Sequence, residues 1–124
     1  MAKRPSMSKA EMEVARIVWQ LKSATARQVH AELDEVRQID FSTVQTYLTR
    51  LEDKGYIKSK KEGRTKVFSA KANPNTVIRD TVKELRELLF DGDAVPMMRH
   101  LIEDSEMTTD DVQSLKRMLD ELDK

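Results

Sequence analysis

The sequence has no cysteine, only three glycines, three prolines and two histidines, and no long apolar run in its 124 residues. Without cysteine there is no disulfide framework, no thiolate metal site and no thiol nucleophile, a composition that favours the cytosol. His30 and His100 lie far apart along the chain and leave few partners for serine-type catalysis or a zinc site. No phosphate loop, His-x-x-x-His pair or Gly-x-Ser-x-Gly elbow occurs. Charged residues make up 35%, and no stretch approaches the roughly 18 consecutive apolar residues of a membrane span. The basic residues 1–8 lack the apolar run of a signal peptide. Glycine and proline are too sparse for a disordered tail. The composition points away from an enzyme, a cofactor or metal, and membrane insertion. A soluble cytoplasmic binding protein is expected.

What is there is charge, unevenly distributed. The totals balance at 22 basic and 22 acidic residues, but residues 1–72 hold 15 basic against 9 acidic, a net of +6, and residues 73–124 hold the compensating −6. The basic excess peaks over residues 42–72, where Arg50, Lys54, Lys58, Lys60, Lys61, Arg64, Lys66 and Lys71 face only Glu52, Asp53 and Glu62. Such asymmetry suggests that one half meets a polyanion, although a solvated basic face would read the same in composition.

Organisation narrows the choice. Ser8-Lys9-Ala10-Glu11 forms a capping box, and Val14, Ile17, Val18 and Leu21 follow at one-face helical spacing. Thr25-Ala26-Arg27-Gln28 opens a second helix, with Ala26, Val29, Leu33 and Val36 apolar. Ser42-Thr43-Val44-Gln45 reads as a third box, leading to Val44, Tyr47, Leu48 and Leu51. Gly55 supplies the left-handed residue that stops this helix. The period then changes: residues 56–61 and 65–69 read as short lysine-rich strands around a Glu62-Gly63-Arg64 turn, an exposed hairpin. Three helices and a basic hairpin are the order of a winged helix-turn-helix. The stretch around residues 37–41 looks longer than the three or four residues of the simple motif.

Asn73-Pro74 starts a second part, with asparagine as cap and proline at the first helical position. Ile78, Thr81, Val82, Leu85, Leu88 and Leu89 form a stripe ending near Gly92. A shorter helix from about Val95 carries Met98, Leu101 and Ile102. Thr108 caps a last helix whose first turn holds Asp110 and Asp111, where the dipole favours acids, and whose apolar face is Val112, Leu115, Met118, Leu119 and Leu122. About fifty residues are near the limit for burying a core alone. These stripes are therefore expected to meet a second copy, with Leu85, Leu88, Leu89, Leu101, Val112, Leu115, Met118, Leu119 and Leu122 at the dimer interface. The other arrangement is a closed three-helix bundle.

The third helix carries the chemistry. With Val44, Tyr47, Leu48 and Leu51 buried, a 100° step per residue places Ser42, Gln45, Thr46, Thr49 and Arg50 on the outer face. Hydroxyls, an amide and one arginine replace the Glu/Lys mixture of a solvating face, and serine and threonine are poor helix formers. Threonine can offer its methyl to thymine, glutamine can pair with adenine, and arginine can fork onto guanine. A recognition helix in the major groove of DNA accounts for them. Arg64, Lys66 and Lys61 of the hairpin, with Lys58 and Lys60, would then lie along phosphates, setting affinity and register. Only some can do so together, because Lys60 and Lys61 point to opposite sides of a strand. Trp19, Met97 and Met98 read as packing residues.

Three stretches resemble the BlaI/MecI/CopY family of bacterial repressors. They are Ser8-Lys9-Ala10-Glu11-Met12-Glu13-Val14 leading to Ile17-Val18-Trp19; Thr43-Val44-Gln45-Thr46-Tyr47-Leu48-Thr49-Arg50-Leu51 with Lys54-Gly55; and Lys61-Glu62-Gly63-Arg64 with Val67-Phe68. The likeness is specific over the first seventy residues or so and weak after Asn73. It implies a homodimeric winged-helix repressor on a dyad operator, DNA contacts from Thr43, Gln45, Thr46 and Arg50, Arg64 and its neighbours in the wing, and a dimer made by C-terminal helices. Copper sensing through the Cys-x-Cys motifs of one branch is excluded here. Another branch is inactivated by cleavage at an Asn-Phe bond, which implies a membrane sensor protease as partner. His100-Leu101 stands at that position.

The expected architecture is thus mainly α with a small β-hairpin: a winged-helix DNA-binding domain over residues 1–72 and a helical dimerisation domain over residues 73–124. The expected function is sequence-specific transcriptional repression by a homodimer on a palindromic operator. The alternative is a winged helix serving as a protein-interaction module, which would show little affinity for any duplex.

Overall fold

The computed structural model describes residues 4–123, so residues 1–3 and 124 of the two expected domains lie outside the described part. Among the described residues the order is α1 (Lys9–Leu21), β1 (Ser23–Ala24), α2 (Ala26–Val36), α3 (Phe41–Asp53), β2 (Ile57–Glu62), β3 (Thr65–Ala70), α4 (Pro74–Phe90), α5 (Ala94–Asp104) and α6 (Thr109–Leu122). The chain divides into two compact units, with the break between Thr81 and Val82, inside α4.

The first unit is the expected winged helix. Capping boxes at Ser8/Glu11 and Thr25/Gln28 start α1 and α2, each box pairing a side-chain oxygen with a backbone N–H in both directions. The third box is not used. α3 begins one residue before Ser42, behind Asp40, whose side chain makes no cap bond. Phe41 is drawn into the helix because its ring packs edge-on against His30 and beneath the Arg27 guanidinium, both on α2. The α2–α3 connection is therefore residues 37–40, four residues, within the range of the simple helix-turn-helix. His30 Nε2–H donates to the Ile39 carbonyl at 2.7 Å and closes that turn.

α3 ends as a Schellman motif. Gly55, at φ +88°, donates to the Glu52 carbonyl, and the Tyr56 N–H donates to that of Leu51. The hairpin that follows is tight: Glu62 pairs with Thr65, and Gly63 takes φ +66° at the first turn position, the place where a type II′ turn needs glycine. A third strand, β1, was not expected. Its two residues pair with the base of β3, Ser23 with Ser69 and Ala24 with Phe68, so the sheet order is β1-β3-β2. The core gathers Val14 and Val18 of α1, Val29 and Leu33 of α2, Val44, Leu48 and Leu51 of α3, and Ile57 and Phe68 of the sheet. Each fully buried leucine or isoleucine contributes about 1.5–3 kcal/mol. Trp19 packs against this cluster.

In the second unit the Asp93 carboxylate caps α5, and a Thr108/Asp111 capping box starts α6. Neither helix contains a buried residue within the protomer. Leu88, Leu119 and Leu122 are 74%, 63% and 82% exposed. None of the described helices is long and apolar enough to cross a membrane.

Candidate nucleic-acid interface

Helix α3 is held from behind and bare in front. Val44, Leu48 and Leu51 are buried completely, whereas Ser42, Gln45, Thr46, Thr49 and Arg50 are exposed, as the helical period requires. Thr43 is half-buried and faces a separate open hollow with His30, Asp34 and Asp40. Two hydroxyl protons on the outer face are already committed. Thr46 Oγ1 donates to the Ser42 carbonyl and Thr49 Oγ1 to the Gln45 carbonyl, both at 3.0 Å. This back-bonding satisfies each hydroxyl donor within the helix itself. It also fixes the side chains so that their methyls and acceptor lone pairs, not their donors, are available.

The wing flanks this face. Strand register puts Lys61 opposite Lys66 and Ser59 opposite Phe68, so these four share one side of the hairpin, and Lys58 and Lys60 occupy the other. Phe68 is buried against the core, and the Glu52 carboxylate of α3 accepts from Ser59 Oγ and lies 3.8 Å from Lys66 Nζ. The Lys61/Lys66 side is therefore the one turned towards α3. Of the hairpin lysines, Lys61 and Lys66 are the pair on the α3 side.

Between α2, α3 and the wing lies a cleft of about 400 Å³, lined by the α2 cap Thr25 and Arg27 of α2, Gln45 and Thr49 of α3, and Arg64, Thr65 and Lys66 of the hairpin. Three cations and two of the outer-face residues meet there. Arg64, Arg50 and Lys61 have no ion-pair partner among the described residues. Ser42, Thr46 and Arg50 stay on the exposed helix face outside the cleft. Two residues here carry no mark of this position in sequence. Arg27 sits within a capping-box motif, yet its guanidinium, 4.9 Å from the Phe41 ring centre, lines the cleft. Glu52 is a minority acid in a basic stretch, yet it reaches both strands of the hairpin.

Behind the site, a clasp fixes the end of α3. Lys54 Nζ donates to Glu11 Oε1 at 2.7 Å and to the Ser6 carbonyl at 2.9 Å, and Tyr56 Oη donates to the Pro5 carbonyl at 2.6 Å. Glu11 is 1% exposed. Burial pushes its carboxyl pKa up, but hydrogen bonds from Lys54 and the Ser8 N–H, with the Lys54 charge, outweigh burial and leave it below the ordinary value.

This chain is similar to known proteins over nearly its whole length. A family model described as Penicillinase repressor matches residues 7–121. The penicillinase repressor of Bacillus licheniformis is 27% identical over 121 residues, covering 98% of this chain and 94% of the relative. That of Staphylococcus aureus is 25% identical, covering 98% and 97%. The solution structure of monomeric Bacillus licheniformis BlaI in complex with the blaP half-operator superposes with a TM-score of 0.52 at 35% identity, over 60% of this chain and 92% of that one.

Proposed function

The chain belongs to the penicillinase repressor family, and from that premise we propose that it represses transcription as a homodimer gripping the two halves of a palindromic operator in the cytoplasm. It is a DNA-binding regulator and not an enzyme. The observation that carries the reading is the bare hydroxyl, amide and arginine face of α3 beside a cleft holding Arg27 and Arg64. Such a surface suits a major groove flanked by phosphates. Base readout is assigned to Ser42, Thr43, Gln45, Thr46, Thr49 and Arg50. Arg64 and Lys61 lie along the phosphate backbone, Arg27 joins them from α2, and Lys66 sits on the same face.

Residues 1–72 form the DNA-binding part and residues 73–124 the dimerising part, with Leu85, Leu88, Leu89, Leu101, Val112, Leu115, Met118, Leu119 and Leu122 at the interface. The support is that α5 and α6 bury none of their residues within one protomer; a second copy removes that apolar surface from water. One protomer on a half-site, as in the BlaI complex, matches a dimer on a dyad. Relief by a membrane sensor protease belongs to the same proposal. The matching bond, His100-Leu101, lies inside α5, where His100 contacts Asp104 and Phe90, so cutting requires that turn to open.

Selection from a pool of randomised duplexes tests this reading. Enrichment of a two-fold-symmetric site is the expected result. A pool that stays random after several rounds refutes specific repression and leaves the winged helix as a protein-interaction module.

A further inference from the structure

We propose that Glu52 is a positioning residue that tunes DNA affinity: it ties the wing to the recognition helix and pairs with Lys66, so that sequence-independent phosphate attraction is restrained while base readout is kept. The inference rests on the DNA-binding reading above and concerns how strongly that site holds the phosphate backbone.

Glu52 stands in the last turn of α3, and its two carboxylate oxygens reach different strands. Oε2 accepts from Ser59 Oγ on β2, and Oε1 lies 3.8 Å from Lys66 Nζ on β3. One side chain thus ties the recognition helix to both strands of the hairpin. Its setting explains why an acid is tolerated in the most basic stretch of the chain. Lys61 and Lys66 are directly opposed across the ladder, and like charges in that position repel. A carboxylate beside Lys66 relieves the repulsion and leaves Lys61 as the unpaired cation of the two.

For DNA binding the consequence is specific. Phosphate contacts add affinity to every duplex alike, so an additional free cation strengthens wrong sites as much as right ones. With Lys66 paired, each protomer carries one fewer counterion-releasing charge. The wing meanwhile keeps a fixed angle to the helix that reads bases. Lys66 is thereby a structural partner of Glu52 and not a phosphate contact in its own right.

The test uses the full-length protein, fluorescence anisotropy, a selected dyad duplex and a scrambled one, over a range of salt. Glu52→Gln removes the charge but keeps an oxygen for Ser59. It is expected to steepen the log–log salt slope by about 0.9 per protomer. Both duplexes should tighten several-fold by the same factor, so that the preference for the dyad stays as in the wild type. Lys66→Met alone is expected to leave the slope unchanged, and the double variant to return it to the wild-type value. A purely architectural role for Glu52 would weaken both duplexes with no change in slope. The proposal is overturned if Glu52→Gln leaves the slope unaltered, or if Lys66→Met alone flattens the wild-type slope by about 0.9 per protomer. Should Glu52→Gln fail to fold, Lys66→Met on the wild-type background still decides the matter. A wild-type protein without preference for any duplex sinks the repressor reading instead, and the Lys66→Met slope on scrambled DNA then tests the pairing by itself.

Discussion

Removing the Lys54 charge should destabilise the protein more than removing that of its partner Glu11, and the penalty should shrink in acid. The asymmetry comes from burial: the Glu11 side chain is 2% exposed and the Lys54 side chain 26%. Lys54→Met keeps the aliphatic stem but strands a buried carboxylate, with only Ser8 left to satisfy it. Breaking a buried pair from that side costs about 3 kcal/mol. Glu11→Gln leaves an oxygen to accept the Ser8 N–H, and Lys54 can still reach the Ser6 carbonyl and water, so about 1 kcal/mol is expected.

The sign with pH follows from the depressed Glu11 pKa. A carboxylate held below its ordinary pKa contributes stability that is present above that value and is lost as pH falls through the folded-state value. In Lys54→Met the largest opposing influence is gone, burial dominates, and the folded-state pKa rises relative to the wild type. The variant therefore takes up its proton at higher pH, and protonation removes the stranded charge. Urea denaturation at fixed protein concentration, near pH 7 and near pH 4, should show the gap to wild type narrowing in acid. A gap that is the same at both values, or smaller than that of Glu11→Gln at neutral pH, would refute the reasoning.

Three further outcomes are expected. Lys22, which closes α1 at φ +71°, ψ −51°, occupies a region that costs a side chain about 1 kcal/mol or more; Lys22→Gly should raise the urea midpoint, and a lowered midpoint would contradict strain there. Leu119→Asp, at an apolar position 63% exposed in the protomer, should yield a monomer by sedimentation equilibrium while the winged helix keeps its circular dichroism; a dimer persisting at micromolar concentration would remove α6 from the interface. Arg50→Ala should cost about 1–3 kcal/mol on the selected duplex and relax preference at one base pair; a uniform loss across all sequences would make Arg50 a phosphate contact.

The residues that were legible in sequence are those whose roles are local. Capping boxes at Ser8 and Thr25, the cap at Thr108 and the stop at Gly55 are written within a few residues of where they act. The outer face of α3 follows from its apolar inner face by helical geometry. What escaped depends on partners distant in sequence. Ser42 has the pattern of a cap, yet Phe41 enters the helix because its ring meets His30 and Arg27 on α2. Ser23-Ala24 is too short to show alternation and is a strand only because β3 lies beside it. Arg27 and Glu52 look like ordinary surface charges until α2, α3 and the hairpin converge.

Specific DNA binding is tested most directly by titrating the protein against a labelled duplex from the region upstream of its own gene and a scrambled duplex, at two salt concentrations. Tight, competitor-resistant binding to the first alone is expected, with a log–log salt slope of roughly −5 to −7 for a dimer neutralising about 3–4 phosphates per protomer. Equal, weak binding to both duplexes would contradict it, and the outer face of α3 would then have no role in reading sequence.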